Sequence, residues 1–439
     1  MNSLIELTLL ALSILNRPTK RKKMNARRIP RIAIFVSLAG VFAWAGPVSA
    51  GGLYILEYGH PLQGASNAGE GAIAQDASTA VSNAAGIMML DESEWMVTGI
   101  GIYSKIEFQQ EAGTTVSGNN GGDAGSFAPG ASLFYANPFS EKFGFGFSMN
   151  ALSGAVMDYD DGFVGRYWAE EVELLIIAAM PSLAWRVNDQ WSVSVGVPVA
   201  FGSLNMDVAI PPLIGMGPDG QARINDGTDI VVSISAGVLW ELSDRSRLGL
   251  TYFGELAFDF DSDLEITLPV GGGTTPPQVS ADVSLPLVQT LRLSSSSDIG
   301  DNLTLLATVA WEDWSSFDSV FINVTDGPSG ALPRDWDDTW HFALGMRWRT
   351  GGPWTYHTGV AYDTDPTDAS KRTADMPIDR QIRLSGGATY TFPSGNSLGG
   401  VLTFADYGDA RIDNGGNWGQ VVGEYDSNRI LFFGINYNW

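Results

Sequence analysis

Stretches in which every second residue is bulky and apolar recur from about residue 93 to the end of the chain. They restrict its fold more than any other feature. "KFGFGFSMN" sets Phe143, Phe145, Phe147 and Met149 against Gly144, Gly146, Ser148 and Asn150. "WSVSVGVPV" aligns Trp191, Val193, Val195, Val197 and Val199 against Ser192, Ser194, Gly196 and Pro198. "HFALGMRWR" and "IRLSGGATYTF" repeat the pattern, and the chain ends in "RILFFGINYNW". In that last stretch Leu431, Phe433, Ile435, Tyr437 and Trp439 form an apolar stripe, with Phe432 and Ile430 as exceptions on the other face. Period two with one greasy face is strand periodicity.

Two architectures share this pattern, a soluble sandwich and a membrane barrel. Two features favour the barrel. The polar faces are mostly glycine, serine and threonine, which suit a confined lumen better than a solvated surface. The connections are unequal: "RVNDQ", "ELSDRSR" and "DIGDN" are tight polar turns, whereas "EAGTTVSGNNGGDAGSFAPG", "LPVGGGTTPPQVSADVSLP" and "AYDTDPTDASKRTADMP" are long. After residue 50 no run of ~18 apolar residues occurs, so helical spans are excluded. Closure into a barrel also leaves no unpaired strand edge in hydrocarbon. At ~10 residues per spanning strand, the stretch 93–439 holds between ~12 and ~16 strands. The expected fold is all-β, a transmembrane antiparallel β-barrel with lipid covering the terminal stripe and Trp439 at an interface.

The 439 residues include no cysteine, which removes disulfides and thiolate metal sites. The net charge of −24 hides an asymmetry: residues 1–50 carry eight Lys/Arg and one Glu, leaving 17 basic and 48 acidic residues, a net of −31, beyond them. Without a local basic cluster after residue 50, that balance excludes nucleic acid as a partner. The basic "KRKKMNARRIPR", apolar "IAIFVSLAGVFAWAG" and small-residue "PVSA" have the three parts of a secretory signal, assigned to 24–50 with cleavage after Ala50. Met24 is the expected start, with 1–23 an extension. Signal, absent cysteine and alternating strands together point to a Gram-negative outer membrane.

Residues 51–92 break the alternation. "GHPLQGASNAGEGAIAQDASTAVSNAAGIMMLD" is rich in small residues, suited to close packing against the inside of a wide barrel.

"GEGAIAQDAS" (69–78), "SNAAGIMML" (82–90), "GVLWELSDRSRLGLTYFGELAFDF" (237–260), "WEDWSSF" (311–317), "HFALGMRWR" (341–349), "WTYHTGVAYDTDP" (354–366) and "PIDRQIRLSGGATYTF" (377–392) occur in this order. In sequence and order they resemble the FadL-type outer-membrane transporters of long-chain fatty acids and aromatic hydrocarbons. The resemblance covers essentially the whole chain after residue 50. It implies a 14-stranded barrel at 93–439, stoppered by an N-terminal hatch at 51–92. It also implies passive uptake: capture in a groove of extracellular loops, an internal pocket, then lateral release at a kink in an early strand. Apolar patches suit such a route because they offer about 0.8 kcal/mol per buried methylene.

Carried over residue by residue, the resemblance assigns Leu53, with Tyr54 and Ile55 beside it, to the internal pocket. Asn83 and Gly86 would fix the hatch, and Gly154 would mark the kink. Phe163, Tyr167, Trp168, Leu213, Ile214 and Met216 would supply the loop groove. Two departures stand out. The family's Asn-Pro-Ala reads Asn83-Ala84-Ala85 here, and a base that can meet a fatty-acid carboxylate aligns with Val208. The second leaves hydrocarbons or other uncharged ligands open.

Arg292, Arg347 and Arg383 each stand between apolar neighbours, so they must point inward, since an arginine facing mid-bilayer costs ~2–4 kcal/mol. There they either pair with lumenal carboxylates or meet a ligand carboxylate. The carboxylates of "DFDSDLE" lack the glycine of a calcium loop and read as a solvated strand end. No Gly-Lys pair occurs for a nucleotide loop. No enzyme activity, cofactor or metal is expected. The rivals are a lipid-hydrolysing barrel using His60, His341 or His357, and a structural or adhesive barrel. The expected partners are a hydrophobic small molecule and the surrounding lipid and lipopolysaccharide, with the protein a monomer.

Overall fold

Phe433 and Ile435 are 45 % and 58 % exposed, while Phe432 and Asn436 on either side of them are 1 % exposed. One face of the last strand therefore looks outward and the other into an enclosed interior, as period-two alternation requires. The computed structural model describes residues 54–212, 217–267, 279–324, 330–416 and 418–439. The expected signal at 24–50, the extension at 1–23, and Leu53, Leu213, Ile214 and Met216 lie outside the described residues.

Fourteen antiparallel strands close into a barrel. Four are continuous at the start: β1 (Glu94–Gln110), β2 (Phe127–Asn137), β3 (Phe143–Asp158) and β4 (Glu171–Asn188). Six are interrupted: β5 (Trp191–Gly196 and Val199–Ile210), β6 (Gly220–Val232 and Ser235–Ser243) and β7 (Ser246–Phe253 and Leu256–Thr267) come first. β8 (Val279–Leu287 and Thr290–Ile299), β9 (Leu303–Glu312 and Ser319–Val324) and β10 (Gly330–Pro333 and Thr339–Arg349) follow. The ring ends with β11 (Trp354–Asp363), β12 (Gln381–Thr391), β13 (Ser397–Asp406) and β14 (Gly419–Asn438). β14 pairs with β1 from Met96↔Asn438 to Gln110↔Gly423, which closes the ring. Trp95 and Trp439 exchange backbone bonds of 2.8 and 2.9 Å at its lower end.

Short turns collect at that end and long connections at the other. The short-turn rim carries outward aromatic pairs, Trp191 stacked on Trp240 at 4.9 Å and Trp95 tilted against Tyr135 at 4.3 Å. Such a girdle belongs at a membrane–water interface, where rings with one polar edge are best accommodated.

The six interruptions share one height. Gly196 pairs with Ser235 and Val199 with Val232, so Val197–Pro198 faces Ser233–Ile234. The register Phe253↔Thr290 and Leu256↔Leu287 carries the line across Gly254–Glu255 and Val288–Gln289. Residues 313–318 and 334–338 continue it. Pro198 has no N–H to give the ladder. Single bonds bridge the line, such as Ser233 N to Pro198 O at 3.0 Å and Gly254 N to Ile234 O at 2.8 Å. Above it, Phe258, Phe260, Trp314, Phe317 and Trp336 build an inward apolar core.

Residues 54–92 run inside the ring as four short helical turns, Pro61–Ala65, Glu70–Ile73, Thr79–Ser82 and Ala84–Met89. From Leu56 to Met88 every residue except Ala74 and Gln75 is buried. Small residues allow this: a Cβ on Gly249 of β7 would fall on the carbonyl oxygen of Gly71.

Candidate functional site: a window in the barrel wall and the cavity behind it

Ladder pairing between β2 and β3 covers only Leu133↔Met149 to Asn137↔Phe145. Above Leu133, β2 stays paired with β1 up to Phe127↔Tyr103, and β3 stays paired with β4 up to Asp158↔Glu171. The two strands have therefore parted. They meet again at the top, where Ser126 Oγ donates to Val156 O at 3.2 Å and Asp158 N to Ala124 O at 3.2 Å. The result is a window six residues tall on each strand, about 20 Å long at ~3.3 Å per residue. β3 bends away through a bulge between Ala151 and Ser153 in its pairing with β4, the usual device for redirecting a strand. Gly154 stands two residues past Leu152, on the window's edge.

Behind the window lies a cavity of about 960 Å³. Its walls are mainly apolar, with Ile102 and Ile106 of β1, Leu174 of β4, and Ile430 and Phe432 of β14 among them. Met376, Pro377 and Ile378, from the connection between β11 and β12, form its roof. That connection is clamped by two buried arginines. Arg334 donates to Thr373 at 2.6 Å and grips Asp375 with both terminal nitrogens. Arg372 donates to Asp365 at 2.6 Å, Ile378 O at 2.8 Å and Arg411 O at 2.7 Å.

Tyr54 and Ile55 close the cavity from the lumen. Ile55 N donates to Leu152 O at 2.9 Å, beside the bulge, and the Ile55 side chain reaches to within 3.5 Å of where a Cβ on Gly154 would stand. The Tyr54 ring packs edge-on against Trp314 at 5.9 Å, and its hydroxyl donates to Val288 O at the β8 interruption. Tyr54 also borders a second, inner pocket with Tyr58, Leu152, Met180, Leu256 and the Glu70–Arg292 pair. One phenol ring thus separates the inner pocket from the cavity at the window.

The three inward arginines each engage the leading segment. Arg292 Nη1 donates to Glu70 at 2.9 Å. Arg347 Nη1 donates to Gln75 at 2.8 Å and Nη2 to Thr304 at 3.2 Å. Arg383 lies 3.0 Å from Glu57 and is clamped to Asp363, whose other oxygen is 2.7 Å from His341 Nδ1. Arg292 borders the inner pocket; neither Arg347 nor Arg383 lines either cavity. Glu57, Glu70 and Asp363 did not stand out in the sequence. The available signal was carboxylates isolated among small or apolar residues.

Asn83 caps the turn at Ala84–Met89 by accepting from Ala85 N at 3.2 Å. Its amide donates to Gly71 O at 2.8 Å and to Val238 O on the wall at 3.1 Å. Ala84 is the first residue of that turn, the position where proline is also favoured. Gly86 must be small, since a Cβ there would fall on the Thr79 hydroxyl.

In the long connections, Phe163 is fully buried, stacked 4.1 Å from Tyr159 and edge-on to Phe108 at 5.6 Å. It therefore sits in a closed loop core and lines no open groove, because both of its faces already have partners. Burial pushes the Tyr159 phenol up, keeping it neutral, and its hydroxyl is 2.8 Å from that of Tyr425. Tyr167 and Trp168 remain half-exposed, with Trp418 beside Tyr167 at 6.4 Å.

Comparison with known proteins agrees with this geometry. The family described as "Outer membrane protein transport protein (OMPP1/FadL/TodX)" matches residues 41–424. A long-chain fatty acid transport protein of Escherichia coli O6:H1 is 24 % identical over 93 % of this chain and 97 % of its own length. Outer membrane protein P1 of Haemophilus influenzae is 23 % identical over 79 % of this chain and 84 % of its own length. The crystal structure of a Pseudomonas aeruginosa FadL homologue superposes with a TM-score of 0.80 at 21 % identity, covering 89 % of this chain and 99 % of that one. The toluene transporter TbuX of Ralstonia pickettii superposes at 0.65 and 17 % identity, covering 88 % and 99 %. A closed barrel parted between two early strands, with a chain segment packed in its lumen and a family match across most of its length, is an outer-membrane β-barrel belonging to the OMPP1/FadL/TodX family of transport proteins.

Proposed function

We propose that this barrel takes up hydrophobic compounds passively and releases them sideways through the window between β2 and β3. In this scheme residues 51–92 act as a hatch. A ligand held first among the loop aromatics Tyr167 and Trp168 passes to the inner pocket, and movement of Tyr54 and Ile55 admits it to the cavity behind the window. The observation that carries this is the continuity of an apolar cavity of about 960 Å³ with a gap in the wall. A greasy solute gains by leaving through such a gap, since it never crosses water between cavity and membrane. A relative named as a long-chain fatty acid transport protein and a structural neighbour named as a toluene transporter support this reading. The protein works as a single chain, with lipid and lipopolysaccharide around it.

Because the chain has no cysteine, an engineered disulfide tests the scheme cleanly. Ile55→Cys with Leu152→Cys joins two positions whose backbones already hydrogen-bond. Oxidation should stop uptake of a radiolabelled hydrophobic compound and reduction should restore it. Undiminished uptake by the oxidised form would refute sideways release past this segment.

A further inference from the structure

The outward charges of the barrel are spread unevenly around its upper part. On the arc from β3 to β8, Asp158, Glu171, Glu173, Asp259, Asp261 and Asp282 stand exposed. Among the described strand residues, the only base on the upper part of that arc is Arg223, paired with Asp207 at 2.8 Å. The arc from β12 through β14 to β1 differs. There Lys105 of β1 and Arg429 of β14 are direct partners across the two strands that close the ring. Their side chains are 45 % and 54 % exposed. Arg380, just ahead of β12, joins them: it donates to Asp406 at 2.8 Å, and Asp406 lies 3.5 Å from Arg429 Nε.

These cations stand above a platform of outward rings. Tyr103 is the register partner of both Phe127 and Leu431. Phe127 stacks on Phe433 at 6.3 Å, and Phe433 covers Gly101, where a Cβ would strike the ring. All three rings are exposed. Lys105 follows Trp95 of the short-turn girdle by ten residues. At ~3.3 Å per residue and a tilt of ~40°, it stands about 25 Å above that girdle, the height of the apolar band of such barrels. The rings therefore face acyl chains and the cations face head groups of the outer leaflet.

The carboxylates on this arc do not cancel its attraction for an anion. Glu107 accepts from Lys105 at 2.6 Å, and Asp426 stands exposed above it. Exposed pairs of this kind add little stability and yield to a stronger partner. A phosphate carries more charge than a carboxylate and takes charge-assisted bonds from arginine on several oxygens. The outer leaflet of a Gram-negative outer membrane is a phosphorylated glycolipid with several acyl chains, whose two parts match cations above and rings below.

We infer that the β14–β1 face seats one lipid A moiety of lipopolysaccharide, with Lys105 and Arg429 on a phosphate and Tyr103, Phe127 and Phe433 against its acyl chains. This rests on the lipopolysaccharide surroundings proposed above and not on uptake. Phe127 also ends the stretch of β2 that has left β3, so the seated lipid borders the window.

The test is native mass spectrometry of the full barrel in a non-ionic detergent, titrated with phosphorylated lipid A, dephosphorylated lipid A or phosphatidylglycerol. One phosphorylated lipid A should bind about tenfold or more tightly than either of the others. Lys105→Gln with Arg429→Gln should reduce it to the level of the dephosphorylated form, and Arg223→Gln should leave it unchanged. Phe127→Ala should weaken both forms of lipid A several-fold. Heat-modifiable mobility checks the fold, and either glutamine change alone should give a smaller loss in the same direction. Equal binding of the two forms of lipid A, or full binding by the double variant, overturns the inference. Phosphatidylglycerol bound as tightly as lipid A overturns it too, since the face would then take any anionic lipid. Uptake of a radiolabelled hydrophobic compound by the same variants reports separately on the transport function, so either can fail alone.

Discussion

Ile55 N donates to Leu152 O at 2.9 Å, so the leading segment is bonded to β3 beside the bulge where that strand leaves its neighbour. The leading segment and the parted wall are therefore joined directly. Any movement of Tyr54 and Ile55 must break this bond and uncover Gly154. Gly154→Phe should fill the window's edge and lower uptake by about tenfold or more, as expected when a ring occupies a ligand path. Uptake by cells, with the heat-modifiable mobility of the folded barrel as a folding control, measures this.

Removing one partner of a buried ion pair strands the other. Arg292→Met should weaken docking of residues 54–92 by roughly 3–5 kcal/mol, because Glu70 stays buried without its cation. The double change Arg292→Met with Glu70→Leu should recover most of that loss. Limited proteolysis of the segment in detergent, with urea unfolding of the four members of the cycle, gives the coupling. Full additivity of the two changes would contradict the pairing.

Tyr54 separates two cavities with a ring held by one hydroxyl bond and by Trp314. Tyr54→Phe should cost about 1 kcal/mol of that closure, raising the uptake rate with little change in folding. Tyr54→Ala should merge the cavities and allow ion leakage, visible as single-channel current in planar bilayers above that of the unmodified protein.

A methyl group on Gly249 would collide with the backbone of Gly71. Neither group is a flexible side-chain end, so Gly249→Ala should displace the segment at a cost of about 1–3 kcal/mol. Entry of a small polar antibiotic into cells should increase, since the lumen would no longer be filled.

Much of the barrel is legible in the alternation itself. Phe143, Met149, Trp191 and Val199 face outward, as one greasy face in lipid demands. What alternation cannot convey is which neighbours a strand keeps, because pairing joins residues distant in sequence. The parting of β2 from β3 leaves only the glycine of "ALSGAVMDY" as a trace. The exceptions to the pattern were the more telling signal. Ile430 and Phe432, apolar on the wrong face of β14, line the cavity behind the window. The inward direction of Arg292, Arg347 and Arg383 followed from membrane energetics. Their partners did not, since Glu57, Glu70 and Asp363 lie up to hundreds of positions away.

The aligned interruptions of β5 to β10 have a mechanical consequence. A tube slotted part-way round at a single height is stiff below the slot and compliant above it, since only isolated bonds resist tilting there. The lower ring can stay registered with its acyl surroundings while the upper part leans toward or away from β2 and β3. Loop rearrangements outside the cell could in this way widen or narrow the side exit without straining the ring below the slot.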